Sequence, residues 1–379
     1  MPIKDRLSKE GYKDFLTLKK YLGTFTDKAY LVGGAVRDLY LNNPIKDIDI
    51  EVYGLSPERF DEIMRDFGAV GVGKKFFVYK WRDFDISLPR VEKKVGKGHK
   101  AFVVELTNDE KEASKRRDFT MNALMIDIFS GKLLDFWGGK EDIKNKIIRV
   151  VDPKSFKEDS LRVLRAMQFA ARFGFKCDKD SVEIMQGIAL DDLSKERIFW
   201  EFEKLFNAKN LHIGAYYLFR LGIFEKLFGF GVKCRDFISI SKEFLRYRER
   251  FSKKYYRFYF LYVVAKLLKR DILLFLEVIG APKVYEKFYK TQPMPYKEIS
   301  DRFILEVALR MPIKDWLESY KPEIVERAKR LGVYDKRLET GINAALVMKD
   351  GFEGAKISKE IKRREIEYIE NVLKKGDRF

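Results

Sequence analysis

The chain has 379 residues, with 76 Lys and Arg against 58 Asp and Glu, a formal charge of +18 and 15% aromatic residues. That length can hold two or more sizeable cores, and the charge attracts polyanions over and above any specific contact, although a basic surface alone is compatible with binding nothing. Aromatic residues on which bases stack point to nucleic acid, while two cysteines (Cys177, Cys234) and two distant histidines (His99, His212) argue against a disulfide framework, a thiolate zinc site or a His-rich metal site.

Residues 9–22 read as a helix, which leads into the stretch that carries the chemistry, residues 30–55. There an apolar β-type run (Tyr30, Leu31, Val32) breaks at Gly33 and Gly34 and gives way to a helical pattern. Two glycines between a strand and a helix let backbone N–H groups approach a triphosphate beside the positive end of the helix dipole, and Arg37 lies one turn on to add charge. Asp47 and Asp49 then stand two apart on an alternating strand, so both carboxylates leave one face with Ile48 buried behind. Two hard anionic ligands so close call for a cation, and Mg²⁺ is the natural one when phosphates complete its shell. Taken singly, a strand-Gly-Gly-helix turn is common and a lone D-x-D is more often a solvated strand face. Together they assemble a nucleotidyl-transfer site.

G-G-A-V-R-D followed by D-I-D resembles the first motif of the class II CCA-adding enzymes and bacterial poly(A) polymerases, which belong to the polymerase-β-like nucleotidyltransferases. The resemblance extends over roughly residues 30–206. It implies an α+β catalytic head (1–140), a helical neck with a base-reading helix (141–207), and a helical body (208–290) and tail (291–379) that grip the acceptor and T arms of tRNA. Mg²⁺ held by Asp47 and Asp49 would be the cofactor, with ATP and possibly CTP as substrates.

Further along, Ser56 and Pro57 open a helix to about Asp66. Residues 76–81 and 84–88 read as two strands joined at Arg82 and Asp83. Asp85, on a neighbouring strand, matches the place where polymerase-β-like enzymes carry a third catalytic carboxylate, although a solvated strand Asp explains it equally well. Residues 89–115 are rich in Lys and Gly, show no convincing period and read as a mobile loop. R-R-D-F-T-M-N-A at 116–123 resembles the second motif, in which Arg117 and Asp118 would bond a ribose 2′-hydroxyl; the alternative is a surface ion pair opening a helix. D-F-W-G-G-K-E-D at 135–142 resembles the link between head and neck, its glycines forming a hinge turn without a catalytic role.

Residues 157–169 are helical by period, with Glu158, Asp159, Arg162 and Arg165 on about one third of the circumference. Alone, that face reads as surface salt bridges. E-D-x-x-R is, however, the motif in which an Asp and an Arg pair with the incoming base, and Asp159 and Arg162 are assigned that role by resemblance. Cytosine and adenine both offer an exocyclic amine to a carboxylate and a ring nitrogen to a guanidinium, whereas uracil and guanine turn a carbonyl toward the carboxylate. Many members carry another Arg where Gln168 stands, which leaves its nucleotide contact open. S-K-E-R-I-F-W-E-F-E-K at 194–204 resembles the last motif, with Ser194 an N-cap and an Arg197–Glu201 pair bracing the base reader.

Beyond residue 208 the spacing is helical, with breaks near Gly222, Gly280 to Pro282, Pro293 to Pro295, Pro312 and Gly351. Residues 246–270 interleave cations with Tyr and Phe, and 357–375 form a basic helix; an aromatic core seam and a solvated face are the bland alternatives to phosphate contacts. No run approaches a membrane span and the N-terminus lacks the apolar core of a signal peptide, so a cytoplasmic protein is expected. The expected activity is addition of the terminal A, or of the whole CCA end, to tRNA. A poly(A) polymerase of the same family and a non-catalytic RNA-binding protein with a dead head are the rivals, the latter disfavoured because Asp47, Asp49, Arg117, Asp159 and Arg162 are all present.

Overall fold

The computed structural model describes residues 3–45, 47–73, 77–94 and 102–375, which fall into two units, residues 1–231 and 232–379. In the first, helix α1 (Lys9–Leu22) precedes strand β1 (Ala29–Val32), helix α2 (Gly34–Tyr40), strand β2 (Ile48–Val52) and helix α3 (Pro57–Asp66). Ser56 caps α3 by accepting from the Arg59 N–H at 3.3 Å, and Pro57 fills its first position. Then come β3 (Val70–Gly73), β4 (Val78–Trp81) and β5 (Phe84–Ser87). The hairpin β4–β5 is the pair of strands expected at 76–88; its first strand begins at Val78, and Phe76 lies outside the described residues.

Residues 89–115 depart from the loop expected there. They hold the antiparallel strands β6 (Arg90–Lys94) and β7 (Phe102–Leu106) and a short helix α4 (Glu110–Lys115), while 95–101 lie outside the described residues. The run Phe102, Val103, Val104 is a strong β former, but the Lys and Gly before it mask the period. Strands β8 (Met125–Asp127) and β9 (Leu133–Leu134) complete a seven-stranded sheet among the described residues, in the order β3-β4-β5-β2-β1-β8-β9.

Burial explains the sheet's centre. All four residues of β1 are buried, because β2 and β8 flank it and side chains pack on both faces. Tyr30, Val32, Tyr53 and Met125 meet Ala113 of α4. The β2–β5 pair is parallel, with the chain between them crossing through α3 and β3–β4, and its register sets Asp49 beside Asp85.

The rest of this unit is helical apart from a two-stranded parallel pair, β10 (Ile147–Ile148) with β11 (Lys176–Cys177). Its helices are α5 (Gly139–Asn145), α6 (Pro153–Phe156), α7 (Leu161–Phe173), α8 (Lys179–Gln186), α9 (Lys195–Phe206), α10 (Leu211–Arg220) and α11 (Ile223–Phe228). The helix expected at 157–169 thus begins four residues later, at Leu161, and runs to Phe173. Asp152 and Pro153 start the separate turn α6, and Asp159 stays outside α7 because its carboxylate accepts from the Leu161 N–H and competes with helical pairing. Val163, Leu164, Ala166, Met167, Ala170 and Ala171 of α7 are buried. α9 and α10 pack on α7; at Gly214 of α10 an added Cβ would stand 3.0 Å from that of Ala171.

The second unit contains α12 (Cys234–Tyr247), α13 (Tyr256–Leu268), α14 (Ile272–Ile279), α15 (Lys283–Thr291), α16 (Asp301–Ala308), α17 (Pro322–Arg330), α18 (Ala344–Lys349) and α19 (Ala355–Lys375). One core gathers Ile304, Leu305, Trp316, Ile324, Ala328 and Ile369. α13 is buried from Phe258 to Lys266, and Phe251 is buried as well, so much of the aromatic content of 246–270 is core seam. Among the described residues no helix is long and apolar enough to cross a membrane.

Candidate active site

One cavity of about 810 Å³ in the first unit is lined by Gly33, Gly34, Arg37, Asp47, Asp49, Arg117, Asp118, Asp159, Arg162 and Arg165. These are all but one of the residues singled out from the sequence. The exception, Asp85, stands on β5 next to Asp49 and outside the cavity lining.

The turn between β1 and α2 sets the floor. Gly33 has φ +68°, and a Cβ there would lie 3.1 Å from Arg117 Nη1 and 3.5 Å from Asp49 Oδ2, so both conformation and space require glycine. Arg37 is buried rather than extended toward solvent: Nε and Nη2 donate to Asp38 at 3.1 and 2.9 Å, and Nη1 donates to Asn122 at 2.7 Å. Its guanidinium also lies over Phe169 and Phe173.

Asp49 is mostly sheltered and Asp47 exposed. Burial pushes the Asp49 carboxyl up; Arg117 opposes this, while Asp85, Glu51 and Asp47 add to it. A divalent cation would relieve the burial and the neighbouring negative charge that raise Asp49. Among the described residues no group of three or more His, Cys, Asp or Glu side chains suffices to hold a metal by itself. The donors therefore fit a hard cation whose remaining ligands come from phosphate oxygens.

Behind the carboxylates, Glu51 is buried and accepts from Arg117 Nη2 at 2.7 Å, Arg116 Nη2 at 2.9 Å and the Tyr53 hydroxyl at 3.1 Å. Burial alone would raise its carboxyl, but Arg117 and Arg116 outweigh burial and hold it below the usual range. Asp118 is likewise buried rather than part of a surface pair. It accepts from the Phe119 N–H, Asn122 Nδ2 and Arg165 Nε at 2.8, 2.8 and 2.7 Å, and Arg165 foremost overcomes burial to lower its carboxyl. The D-x-x-G-G-x-x-D segment is a clamp: Asp135 accepts from the Gly139 and Lys140 N–H groups, and Asp142 from Thr120 Oγ1 and Arg149.

One contact differs from the sequence expectation, and a second from the surface salt bridges that helical spacing alone suggests. Arg197 does not pair with Glu201 four residues on; its Nη2 donates to both oxygens of Asp159 at 2.9 and 3.0 Å, and Glu201 takes Lys204 at 2.7 Å. Helical spacing makes the i,i+4 pair available, but the packing of α9 on α7 offers Arg197 a better-placed carboxylate. Arg162 does not meet Asp159 either: Nη1 donates to the Ser155 carbonyl at 2.8 Å and Nη2 to the Arg116 carbonyl at 2.6 Å.

Sequence reasoning gave no role to Asn122, Arg116, Arg172 or Lys204, all of which line the cavity. Arg172 was findable, since it follows Arg165 by two helical turns on the same face. Gln168 is fully buried on that face; its Oε1 accepts from Arg172 at 3.3 Å.

Residues 29–149 match the family described as "Poly A polymerase head domain", and 174–230 match "Probable RNA and SrmB- binding site of polymerase A". The chain is 40% identical over 195 residues to a CCA-adding enzyme of Buchnera aphidicola subsp. Baizongia pistaciae, covering 49% of this chain and 46% of that protein. It is 38% identical over 216 residues to a multifunctional CCA protein of Actinobacillus pleuropneumoniae, covering 53% and 52%. The matches thus span about half the length of these relatives. In fold it is similar to the Bacillus stearothermophilus CCA-adding enzyme in complex with CTP (TM-score 0.60, 23% identity, 96% of this chain and 94% of that one). It is also similar to the Thermotoga maritima CCA-adding enzyme complexed with tRNA(CCA) (TM-score 0.64, 22% identity, 98% and 97%). A mixed-sheet head and a largely helical remainder accord with those neighbours. By its head domain, its RNA-binding segment and these relatives, the chain is similar over residues 29–230 to the CCA-adding enzymes and poly(A) polymerases.

Proposed function

We propose that this protein is a template-independent, Mg²⁺-dependent tRNA nucleotidyltransferase that adds the terminal A, or the whole CCA end, from ATP and CTP with release of pyrophosphate. The observation that carries this reading is that a single cavity joins the Gly33–Gly34 turn and the Asp47–Asp49 pair to Asp159, Arg162 and Arg165. A phosphate cradle, a metal donor pair and a base-edge reader are the three parts that adding a chosen nucleotide without a template requires.

In this reading Gly33, Gly34 and Arg37 hold the triphosphate, and Asp47 and Asp49 would hold Mg²⁺. When bound, the ion supplies neutralisation of the triphosphate charge and activation of the attacking hydroxyl. The 3′-oxygen of the RNA bonds to the α-phosphorus, the bond to the bridging oxygen breaks and pyrophosphate departs. Asp85, beside Asp49, is placed by this proposal to take the hydroxyl proton. Arg117 and Asp118 face the ribose; Asp118 already has three donors, and a carboxylate's four lone-pair sites leave room for one more.

Asp159 accepts from the exocyclic amine of A or C and Arg162 donates to the ring nitrogen. For the latter, Arg162 exchanges one of its two carbonyl partners for the base. A polar site left unpaired by the wrong base discriminates by up to about 10⁴. Head (1–140) and neck (141–207) thus perform the chemistry, while body (208–290) and tail (291–379) hold the acceptor and T arms of tRNA through the phosphate backbone. The cytoplasm is the proposed compartment.

Within the family, members confined to adding C have lost a segment between the first two motifs. This chain keeps residues 89–115 there, including the β6–β7 hairpin, and the terminal A is therefore expected among its products. The test presents tRNAs ending at the discriminator base, the first C and the second C, each with CTP or ATP alone. Addition of C but never A sinks the argument from this segment. A added only to the CC end marks an A-adding enzyme, and repeated A on unrelated RNA marks a poly(A) polymerase.

A further inference from the structure

Trp200 of α9 is a large hydrophobic side chain left 53% exposed, with no ring, cation or hydrogen-bond partner among the described residues. Its position on the helix is informative. At about 100° per residue, Arg197 and Lys204 project within about 20° of each other, and Trp200 lies about 40–60° to one side of them. Arg197 and Lys204 both line the nucleotide cavity, and Arg197 holds Asp159. Ile198, Phe199, Phe202, Leu205 and Phe206 are buried on the other side of the helix. Trp200 therefore lies beside the cavity-lining face of α9, three residues on from the Arg197 that holds Asp159, with its side chain exposed.

The charges around it are asymmetric. Glu196 and Glu203 flank Trp200 away from the cavity, and Arg197 and Lys204 flank it on the cavity side. A polyanionic strand that reaches the indole is thus favoured along the cavity side. Bases stack on aromatic rings with little regard to sequence, because each has a π face.

We infer that Trp200 is a stacking platform for a base of the unpaired 3′ end of the acceptor RNA. This rests on the proposed function, because a strand growing at its 3′ end must keep its last nucleotides at the cavity mouth. The last base differs between tRNAs and changes after each addition, so a contact that reads base edges would reject some of the ends the enzyme has to extend, whereas a stacking surface accepts them all. Trp200 positions the strand and takes no part in bond making.

The test uses the full chain with Trp200→Ala and Trp200→Phe, an acceptor-stem minihelix ending in CC as substrate, and the oligoribonucleotide ACC as a binding probe. Trp200→Ala is expected to raise KM for the minihelix by roughly fivefold to a hundredfold, the range of one lost base stack. KM for ATP should move less than about twofold and Trp200→Phe should largely restore the minihelix KM, because a phenyl ring still stacks. ACC should quench the fluorescence of the wild-type protein, and this quench should be absent from Trp200→Phe, which retains Trp81, Trp137 and Trp316. An unchanged minihelix KM in a Trp200→Ala protein of wild-type circular dichroism overturns the inference. So does an effect confined to KM for ATP, or a quench that survives in Trp200→Phe. If the wild-type protein extends no RNA, the functional reading fails instead, and the quench, which needs no catalysis, still decides whether Trp200 meets a base.

Discussion

The Asp159 carboxylate and the Arg197 guanidinium, 38 residues apart in the chain, are joined by two hydrogen bonds of 2.9 and 3.0 Å from one Nη2. Asp159 precedes α7 and belongs to no regular element, so this cross-helix pair fixes its orientation. A charge-assisted hydrogen bond contributes about 1.5–3 kcal/mol. Arg197→Ala should therefore lower kcat/KM for ATP by roughly 10- to 150-fold and narrow the preference for ATP and CTP over GTP and UTP. Arg162→Ala should blur the same preference from the other side of the base. Unchanged ratios among the four nucleotides in both variants would exclude a base-reading role for this end of α7.

Asp47→Ala and Asp49→Ala should each abolish incorporation while leaving tRNA affinity within a few fold, since the proposed function gives the carboxylates to the metal and the RNA to the helical half. Filter binding alongside primer extension separates the two effects. Wild-type incorporation by either variant would refute the metal assignment.

Asp49 also makes a prediction independent of activity. Its carboxyl is raised from 3.8, first by burial. A raised folded value means that its contribution to stability is present below pH 3.8 and lost as pH rises through that folded value. At neutral pH, without divalent ions, the ionised group therefore destabilises the fold, and Asp49→Asn should melt higher by roughly a degree or two. Magnesium chloride should raise the Tm of the wild-type protein and not that of Asp49→Asn. Equal shifts in both would place the ion elsewhere.

Glu51 is the buried anchor of Arg116 and Arg117, and removing one partner of a buried ion pair costs about 3–5 kcal/mol. Glu51→Ala should lose about that much stability in denaturant titrations. The Glu51 carboxyl lies below its ordinary 4.5, so its stabilisation is present above that pH and is lost as pH falls through the lower folded value. The stability gap between wild type and Glu51→Gln should hence shrink as pH falls below 4.5. A gap that widens with acid would contradict the pairing.

In the helical unit, buried Lys266 donates to Glu318 at 2.7 Å and to the Tyr320 hydroxyl at 2.6 Å, and burial foremost holds its ammonium below the ordinary value. Glu318→Ala should destabilise by about 3–5 kcal/mol, whereas the joint change Lys266→Met with Glu318→Leu should be nearly neutral, because no unpaired charge remains. A double variant as unstable as the single one would show that the cluster does more than balance its own charges.

Local chemistry determined much of this protein in the sequence itself. The Gly33–Gly34 break, the two-residue spacing of Asp47 and Asp49, the Ser56–Pro57 helix start and the Ser194 cap are all short-range patterns in which the residues that interact are neighbours in the chain. Periodicity placed α1 to the residue and identified the stretch that became α7, but it could not see that the Asp159 side chain would claim the Leu161 N–H and delay the helix start. It also missed the β6–β7 hairpin, whose strands find each other only as a pair.

Partnership was decided by the tertiary structure. From spacing alone Arg197 belongs to Glu201, Arg162 to Asp159 and Asp118 to a surface ion pair; packing of α7 on α9 and against the head gives these groups Asp159, two backbone carbonyls and Arg165 instead. The parallel β2–β5 register that sets Asp49 beside Asp85 crosses more than thirty residues of chain, and nothing along that chain encodes it locally. Residue types and helical faces are properties of the chain, but a buried charge takes whichever opposite group the fold brings within about 3 Å, because leaving it unpaired costs more than any local preference returns.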